Sequence, residues 1–309
     1  MYDMIRARMC EGVELVTLDT DDDAERRAMI ADCDAVIVAA KPLTASVIVA
    51  GRKLRLIHHQ GVGYHDTVDL DAARAARLKL ALTPEGTTIG VAEHTVLLML
   101  GAARRAAFAD AELRQGRWHV NALRPVSVEL YGKTVGFVGF GRIGQEAAMR
   151  LAAFGTRNIY FDPVVSDPDP RAAAKSVPFD QMIAEADFLS LHVPLTPGTR
   201  HLISREVIGR MKPGAILVNT ARGGIVDDAA LAEALASGHL LAAGLDVFEG
   251  EPVGPDHPLC ALPNVMLTPH ISAGTRDALG HKMTALFQNI ERFRQGEPLH
   301  NEIDLTAAA

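Results

Sequence analysis

The sequence has too few cysteines to be held together by disulfide bonds. Its 309 residues include only Cys10, Cys33 and Cys260, and none of them forms a C-x-x-C pair. An odd number without that spacing argues against a disulfide framework and a cysteine-rich zinc site, so a reducing, cytoplasmic location is the default expectation. The histidines between positions 58 and 65 also lack a recognised metal-ligand spacing, and we predict no metal.

Long apolar runs and an excess of positive charge are also missing. The longest apolar stretch on an expected helix covers residues 96–103, whereas a membrane-spanning helix needs about 20 residues. The opening residues MYDMIRARMCEG lack the apolar stretch of a secretory signal. A net charge of −7 argues against a nucleic-acid backbone or an anionic membrane as the main partner, although one local cation is enough to hold a small anionic substrate.

The sequence does contain a regular alternation of short apolar stretches with helical stretches. The apolar stretches are continuous, which is typical of strands covered by helices on both faces of a sheet. Repeated strand–helix–strand units predict parallel sheets and a doubly wound α/β fold. Strands are expected at 13–18, 35–40, 54–59, 134–140, 158–162, 187–193, 215–219, 240–247 and 265–269. Helices are expected at 22–31, 69–77, 88–105, 142–153, 179–185, 227–237 and 275–295.

The length of the chain predicts two domains, at roughly 150 residues per domain. A Pro/Gly/Thr stretch, TPEGTT, marks a division at 83–88, and a second change of direction is expected at SAG, residues 272–274. The middle segment, 87–272, would then be inserted into a domain made of residues 1–86 and 273–309.

A glycine-rich loop in the middle segment is the strongest local signal. In TVGFVGFGRIGQE the glycines Gly139, Gly141 and Gly144 follow the G-x-G-x-x-G pattern, directly after an expected strand and at the start of an expected helix. The first glycine allows a tight turn, the second lets the backbone approach a pyrophosphate, and the third lets the helix pack closely on the strand. The N-terminus of the helix then offers free N–H groups to the phosphates.

An acidic residue follows the glycine loop at the distance typical of NAD-binding proteins. Asp162 ends the next expected strand, 18 residues after Gly144. A carboxylate there can bind the ribose hydroxyls of NAD and would repel the 2′-phosphate of NADP, so NAD is expected and NADP is less favoured. The plainer alternative is an aspartate that starts a turn before Pro163. Arg142 lies inside the glycine loop, where it would contact the pyrophosphate or point to solvent.

Three polar residues follow expected strands of the same segment. Arg222 follows AILVNTA, Glu251 lies in GLDVFEGEP, and His270 follows VMLTP. Ligands of open α/β sheets bind outside the carboxyl ends of the strands, so these side chains are expected in the cofactor crevice. Each has a plainer alternative when it is taken alone: a surface ion pair, a solvated acidic loop shared with Glu249, and a histidine in a turn.

Together these residues suit the reduction of a 2-keto acid. The guanidinium of Arg222 can hold a carboxylate and polarise a carbonyl. An imidazole such as that of His270 titrates near neutral pH and can deliver a proton to the carbonyl oxygen. The carboxylate of Glu251 beside the histidine would orient the ring and stabilise its charged form.

The chain resembles the D-isomer-specific 2-hydroxyacid dehydrogenases, a family that includes phosphoglycerate dehydrogenases. The resemblance is carried by GVGYHDTVDLDAA, VAEHTVLLML, GKTVGFVGFGRIG, LHVPLTPGTRHLI, MKPGAILVNTARGGIVDDAAL, GLDVFEGEP and NVMLTPHISAGT. It implies a Rossmann NAD-binding domain inserted in a flavodoxin-like substrate domain. It also implies an NAD-dependent enzyme that interconverts a small D-2-hydroxy acid and its 2-keto acid, usually as a homodimer formed through the cofactor domain.

The resemblance extends to individual residues. It implies Arg222, Glu251 and His270 as the catalytic set, and backbone N–H groups of Val62 and Gly63 as ligands of the substrate carboxylate from the other domain. It implies cofactor contacts from Gly139, Gly141, Arg142, Ile143, Gly144, Asp162, Pro194, Thr220, Ala221, Asp246 and the 270–273 turn with Ala273. Closure of the two domains is expected, with hinges near 86–88 and 272–274.

Two features depart from the family pattern. His65 follows Tyr64 where the family usually has an aspartate directly after the aromatic residue. His65 either alters substrate preference or, as we favour, is only a polar side chain that keeps the loop in solvent. The chain also starts at the expected first helix, where family members usually begin with a strand, so either upstream residues are absent or another segment covers the gap. The identity of the substrate stays open.

A second class of protein remains as an alternative. A regulatory protein of the same fold that senses NAD, similar to a corepressor, would need the glycine loop without all three polar residues. Retention of the whole set favours the enzyme. A methyltransferase would explain neither Arg222 nor His270, and a serine hydrolase would need a G-x-S-x-G elbow that the sequence lacks.

Overall fold

The computed structural model describes residues 2–18, 22–39 and 41–306, which form two compact units. The first unit contains the described residues up to Thr87 and from Thr275 onward, and the second contains Thr88–Gly274. Each unit has a sheet of its own.

The first unit is built around a small sheet. Its strands are β1 (Ala35–Val38), β2 (Leu56–His59), β3 (Lys79–Leu82) and β11 (Glu302–Ile303). Its helices are α1 (Tyr2–Arg6), α2 (Asp23–Ile30), α3 (Ala45–Ala50), α4 (Leu70–Ala75) and α12 (Arg276–Arg294). Successive residues of β2 face different cores: Leu56 packs against the cluster of α12, whereas Ile57 packs in the cluster that contains α3. Helices therefore cover both faces of the sheet, as its continuous apolar strands predict.

The order of strands in this sheet is β1-β2-β3-β11. The first three are parallel, but β11 is antiparallel to β3. The expected parallel arrangement is confirmed for β1, β2 and β3, and β11 adds an antiparallel strand at the edge. The chain turns back after α12 and reaches β3 from the opposite direction, with the amide of Leu82 donating to the carbonyl of Asn301.

The expected strand at 13–18 does not form, and these residues have an irregular backbone. Val13 instead packs against the α12 cluster beside Cys10. An apolar stretch becomes a strand only where a sheet edge supplies partners for its backbone groups. Of the strand expected at 35–40, the last residue lies outside the described residues.

The second unit contains a larger sheet. Its strands are β4 (Thr134–Val138), β5 (Arg157–Phe161), β6 (Ala174–Ser176), β7 (Phe188–Leu191), β8 (Ile216–Asn219), β9 (Ala242–Leu245) and β10 (Val265–Leu267). Its α-helices are α5 (Thr87–Ala103, of which Thr87 belongs to the first unit), α6 (Ala106–Arg114), α7 (Val120–Leu123), α8 (Arg142–Ala152), α9 (Phe179–Glu185), α10 (Arg205–Arg210) and α11 (Asp228–Ala236).

The strands of this sheet are all parallel, in the order β10-β9-β8-β7-β4-β5-β6. The chain runs outward from β4 to β6 and then returns to continue from β7 on the other side, which is the doubly wound Rossmann arrangement. The direction of winding changes between β4 and β7, so the crevice for a ligand lies beyond their carboxyl ends. Val135 and Phe137 of β4 belong to one core and Val138 to the other, so both faces of the sheet are covered.

Two structural findings concern the whole described chain. Of the helices in residues 2–18, 22–39 and 41–306, none has both the length and the apolar character needed to cross a membrane. The same residues contain no grouping of three or more His, Cys, Asp or Glu side chains that could hold a metal ion.

Candidate active site

The glycine loop lies between β4 and α8, at the change in winding direction. Gly139 has φ +85°, and a Cβ there would lie 2.6 Å from the carbonyl oxygen of His192 at the end of β7. A Cβ on Gly144 would lie 2.9 Å from the carbonyl oxygen of Gly139, so the third glycine lets α8 approach the turn. A Cβ on Gly141, the residue before α8, would meet no protein atom within 4 Å. The structure thus leaves open space at the position where a pyrophosphate would need it.

Asp162 lies next to this loop, after β5. One carboxylate oxygen accepts the amide of Phe140 at 2.7 Å, and the other accepts the amides of Val164 and Val165 at 2.8 and 3.0 Å. Burial opposes ionisation of Asp162, but these three N–H donors outweigh it and lower the pKa of the carboxyl. Asp162 is therefore a negative charge that is fixed in position beside the glycine loop.

Arg222 follows β8 in a loop shaped by a buried asparagine. The side chain of Asn219 accepts the amide of Ala221 at 3.0 Å and donates to the carbonyl oxygen of Arg222 at 2.9 Å. The hydroxyl of the buried Thr220 is hydrogen-bonded to that of Thr95 at 2.9 Å. Asn219 holds the backbone on both sides of this loop, so it fixes the point from which the arginine side chain extends.

The two glycines after Arg222 differ in purpose. Gly224 has φ +75°, a conformation that glycine favours. Gly223 is required by contact, because a Cβ on it would lie only 1.7 Å from the carbonyl oxygen of Phe248. The loop of Arg222 thus rests directly on the backbone that leads to Glu251.

His270 and Glu251 form a hydrogen-bonded pair. Nδ1 of His270 lies 2.7 Å from one carboxylate oxygen of Glu251, whose other oxygen accepts the amide of Phe248 at 2.9 Å. Nε2 of His270 makes no hydrogen bond to the described residues. This arrangement orients the ring and leaves one nitrogen available for proton transfer.

The pair has a shared electrostatic environment. The hydrogen bond from Glu251 raises the pKa of His270 above its usual 6.5, against the opposing effects of burial and the nearby positive charge of Arg222. Burial opposes ionisation of Glu251, but the hydrogen bonds from His270 and Phe248 outweigh it, and the pKa of the carboxyl falls. The site therefore favours an ionised Glu251 beside a protonatable His270, and the guanidinium of Arg222 is close enough to lower the pKa of both groups.

Asp246, expected as a cofactor contact, is fully buried beneath the turn that carries His270. Its carboxylate accepts the hydroxyl of Thr268 at 2.6 Å and the amides of Ile271 and Ser272 at 2.9 and 2.8 Å. Its carbonyl oxygen accepts the amide of His270, which has φ +53°. Asp246 therefore fixes the unusual backbone of the histidine.

Sequence reasoning missed two residues that support the site. His94 of α5 has Nε2 2.9 Å from the hydroxyl of Thr268, the same hydroxyl that bonds to Asp246. Asn219 was treated only as the end of a strand, although an asparagine at that position can bond to the backbone two residues later. His94 was visible only as part of the VAEHTVLLML stretch.

The remaining expected residues lie in several places. The exposed Arg142 and half-buried Ile143 begin α8, Pro194 is exposed after β7, and Ala221 and Ala273 are half-buried in the loops after β8 and β10. Val62 and Gly63 lie in the first unit, in the half-buried loop after β2. The second unit thus brings together Arg222, Glu251 and His270, and separately the glycine loop with Asp162.

These features define a Rossmann unit with a glycine-rich turn after β4 and a hydrogen-bonded histidine–glutamate pair in the loops that follow its strands. Residues 96–272 match the family model described as "D-isomer specific 2-hydroxyacid dehydrogenase, NAD binding domain". The chain belongs to the D-isomer specific 2-hydroxyacid dehydrogenase family.

Curated relatives and solved structures agree with this assignment. The chain is 44% identical over 271 residues to a hydroxypyruvate reductase of Thermotoga maritima, covering 87% of each chain. It is 42% identical over 295 residues to a D-3-phosphoglycerate dehydrogenase of Mycobacterium leprae, covering 94% of this chain and 55% of the relative. The chain thus spans about half the length of that relative. The crystal structure of the TT0316 protein from Thermus thermophilus matches with a TM-score of 0.86 and 37% identity, covering 98% of this chain and 96% of that one.

Proposed function

We propose that this protein is an NAD-dependent oxidoreductase that interconverts a small D-2-hydroxy acid and its 2-keto acid. The observation that carries the proposal is the 2.7 Å hydrogen bond between His270 and Glu251, with Nε2 of the histidine left for a substrate oxygen. A protein that only senses NAD has no need of such a pair, and nothing in the fold favours that second possibility.

His270, in its protonated form, donates a proton from Nε2 to the carbonyl oxygen as the carbonyl carbon is reduced. Glu251 stabilises the imidazolium and holds Nδ1, so the ring presents Nε2 to the substrate. Arg222 binds the substrate carboxylate and polarises the carbonyl through its planar set of N–H donors. In the direction of oxidation the neutral His270 accepts the hydroxyl proton.

NAD fits the residues of the second unit. The open space at Gly141 and the free N–H groups at the start of α8 suit a pyrophosphate, and the ionised Asp162 suits ribose hydroxyls. The residues directly after Asp162 are Pro163 and Val164, which supply no cation for a 2′-phosphate. When bound, NAD accepts or supplies the hydride. We propose NAD in preference to NADP, with Arg142, Ile143, Pro194, Thr220, Ala221, Asp246 and Ala273 in the surrounding loops.

The first unit would supply the other half of the substrate site. We propose that the N–H groups of Val62 and Gly63 bind the substrate carboxylate, with 1–86 and 273–309 as the substrate-binding domain and 87–272 as the NAD-binding domain. We also propose a cytoplasmic location, because three cysteines without a C-x-x-C pair favour a reducing compartment.

We further propose a homodimer formed through the second unit. The helices α6 and α7 bury none of their residues. Trp118, between the two helices, is 76% exposed, and Leu113 of α6 and Val120 of α7 are about half exposed. Apolar surface of this kind is typical of an interface between subunits. Light scattering coupled to size-exclusion chromatography should give the mass of a dimer, whereas a monomer at micromolar concentration would exclude the arrangement.

A screen of 2-keto acids tests the activity. Glyoxylate, pyruvate, hydroxypyruvate and 3-phosphohydroxypyruvate are offered with NADH or NADPH, and the loss of nicotinamide absorbance is followed. We expect turnover of at least one acid, with NADH preferred. Binding of NADH without turnover of any 2-keto acid would instead favour the NAD-sensing protein.

A further inference from the structure

We infer that His59 and Thr67 act as a clamp that holds the loop 61–64 in the shape that binds the substrate carboxylate. The inference rests on the proposed function, because it assigns a purpose to the loop of Val62 and Gly63. His59 and Thr67 are positioning residues: they bond to the loop on both sides of the two amides and contribute no group to the reaction itself.

The clamp is a chain of hydrogen bonds inside the first unit. The amide of Gly61 donates to Nδ1 of His59 at 3.0 Å, and Nε2 of the same ring lies 2.9 Å from the hydroxyl of Thr67. That hydroxyl donates to the carbonyl oxygen of Gly63 at 3.0 Å. One imidazole therefore connects the start of the loop to its middle, across Val62.

All three hydrogen bonds are satisfied together by one protonation state of the ring. Nδ1 of His59 accepts the Gly61 N–H and so has no proton. The hydroxyl of Thr67 donates its hydrogen to the carbonyl oxygen of Gly63, so the hydroxyl oxygen is left to accept a hydrogen bond from Nε2–H of His59. The chain is complete only when the imidazole is neutral and carries its proton on Nε2.

The clamp is buried although the loop that it holds is not. His59 is 5% exposed and Thr67 is 7% exposed, whereas residues 61–64 are half-buried. A solvent-accessible hydrogen bond would give the loop little rigidity, but a buried chain of bonds loses stability if any member is left without its partner. This placement keeps a rigid support beneath backbone groups that a ligand can reach.

Other bonds fix the ends of the loop without fixing its centre. The amide of Gln60 donates to the carbonyl of Val38, and the carbonyl of Gly61 accepts the amide of Thr83. The amide of Val62 makes no hydrogen bond within the described residues, which suits a donor that awaits an anion. Successive backbone N–H groups in a turn form a typical site for a carboxylate.

Different substitutions of His59 should remove one hydrogen bond of the clamp at a time. Asparagine at 59 places its amide oxygen near the position of Nδ1, so it can accept from Gly61 but cannot reach Thr67. Glutamine at 59 reaches Thr67 but loses the bond to Gly61. Thr67→Val keeps the shape of the buried side chain without the hydroxyl, and Thr67→Ser, the matched control, keeps the hydroxyl.

The test measures steady-state reduction of the best 2-keto acid by wild type, Thr67→Val, Thr67→Ser and His59→Gln. We expect Thr67→Val and His59→Gln to raise KM for the keto acid about tenfold, the effect of one hydrogen bond. The dissociation constant of NADH, measured by fluorescence, should stay unchanged because NADH binds the second unit. Thr67→Ser should behave as wild type. A Thr67→Val enzyme with unchanged KM overturns the inference.

A second readout does not depend on activity. Amide hydrogen exchange should be at least tenfold faster at Gly61 in His59→Gln than in His59→Asn, since only asparagine keeps an acceptor for that amide. Ring ¹⁵N shifts of His59 in wild type should show the Nε2–H tautomer. Equal exchange in the two variants, or a proton on Nδ1, overturns the clamp. If wild type reduces no 2-keto acid, the proposed function and the carboxylate role fail, while exchange and tautomer still decide whether the clamp exists.

Discussion

Replacing Gly223 with alanine tests whether the loop of Arg222 must rest on the backbone of Phe248. The added Cβ would lie 1.7 Å from the carbonyl oxygen of Phe248 and 2.8 Å from the amide nitrogen of Glu249. Carbon and oxygen atoms in contact need about 3.3 Å, so one of the two segments has to move by roughly 1.5 Å. Neither obstacle is the end of a flexible side chain, so the displacement reaches Arg222, Glu251 or both.

The expected effects follow from that displacement. Overpacking of this kind costs about 1–3 kcal/mol of stability, which should appear as a lower melting temperature. A misplacement of about 1 Å in a catalytic group costs roughly 100-fold in rate, so we expect at least that loss in kcat/KM for the best 2-keto acid. The affinity for NADH should fall less than the rate, because Gly141 and Asp162 lie in other loops of the unit.

Gly209 supplies the matched control for this experiment. It lies in α10, and a Cβ on it would meet no atom within 4 Å. Gly209→Ala should therefore leave turnover unchanged and raise stability by about 0.5–1 kcal/mol, as expected for a glycine inside a helix. If Gly223→Ala retained wild-type turnover and melting temperature, the close approach of the two segments would be wrong, and with it our explanation of the glycine pair.

Two further predictions concern the charges of the site. Glu251→Gln removes the carboxylate that raises the pKa of His270. Reduction needs protonated His270 and is lost as the pH rises through that pKa, so the alkaline limb of the kcat/KM profile should move to lower pH. An unchanged pH profile would refute the pairing of the two residues. Asp162→Ala removes the carboxylate beside the glycine loop, so the dissociation constant of NADH should rise about tenfold or more while that of NADPH changes less. Fluorescence titration measures both constants. An unchanged ratio of the NADPH to the NADH dissociation constant would argue against the contact between Asp162 and the ribose.

Much of the fold follows from local sequence, but strand pairing does not. The continuous apolar stretches indicated the parallel strands of the second unit, because burial on both faces requires such residues. The stretch at 13–18 has similar residues yet stays irregular, since no sheet edge meets its backbone. Conversely, KLAL forms strand β3 although it was not among the strands named from the sequence. A pairing partner is a property of tertiary structure and leaves no local signature.

The candidate site likewise has residues that the sequence indicates and contacts that it does not. The rule that ligands bind beyond the carboxyl ends of strands indicated Arg222, Glu251 and His270 from sequence. It did not indicate that the carbonyl of Phe248 would lie against Gly223, nor that His94 would reach Thr268. Those contacts join segments far apart in the chain. The candidate catalytic side chains are thus recognisable by residue type, whereas the contacts that hold them in place depend on the three-dimensional fold.

The most direct test of the central claim compares wild type with Arg222→Ala in the same assay. Removal of a preorganised charged donor should lower kcat/KM for the best 2-keto acid by about 10²–10³-fold, while the dissociation constant of NADH stays within about twofold of wild type. Lost turnover with retained NADH binding is the predicted result. Wild-type turnover of 2-keto acids by Arg222→Ala would contradict the account, since some group other than Arg222 would then have to polarise the carbonyl.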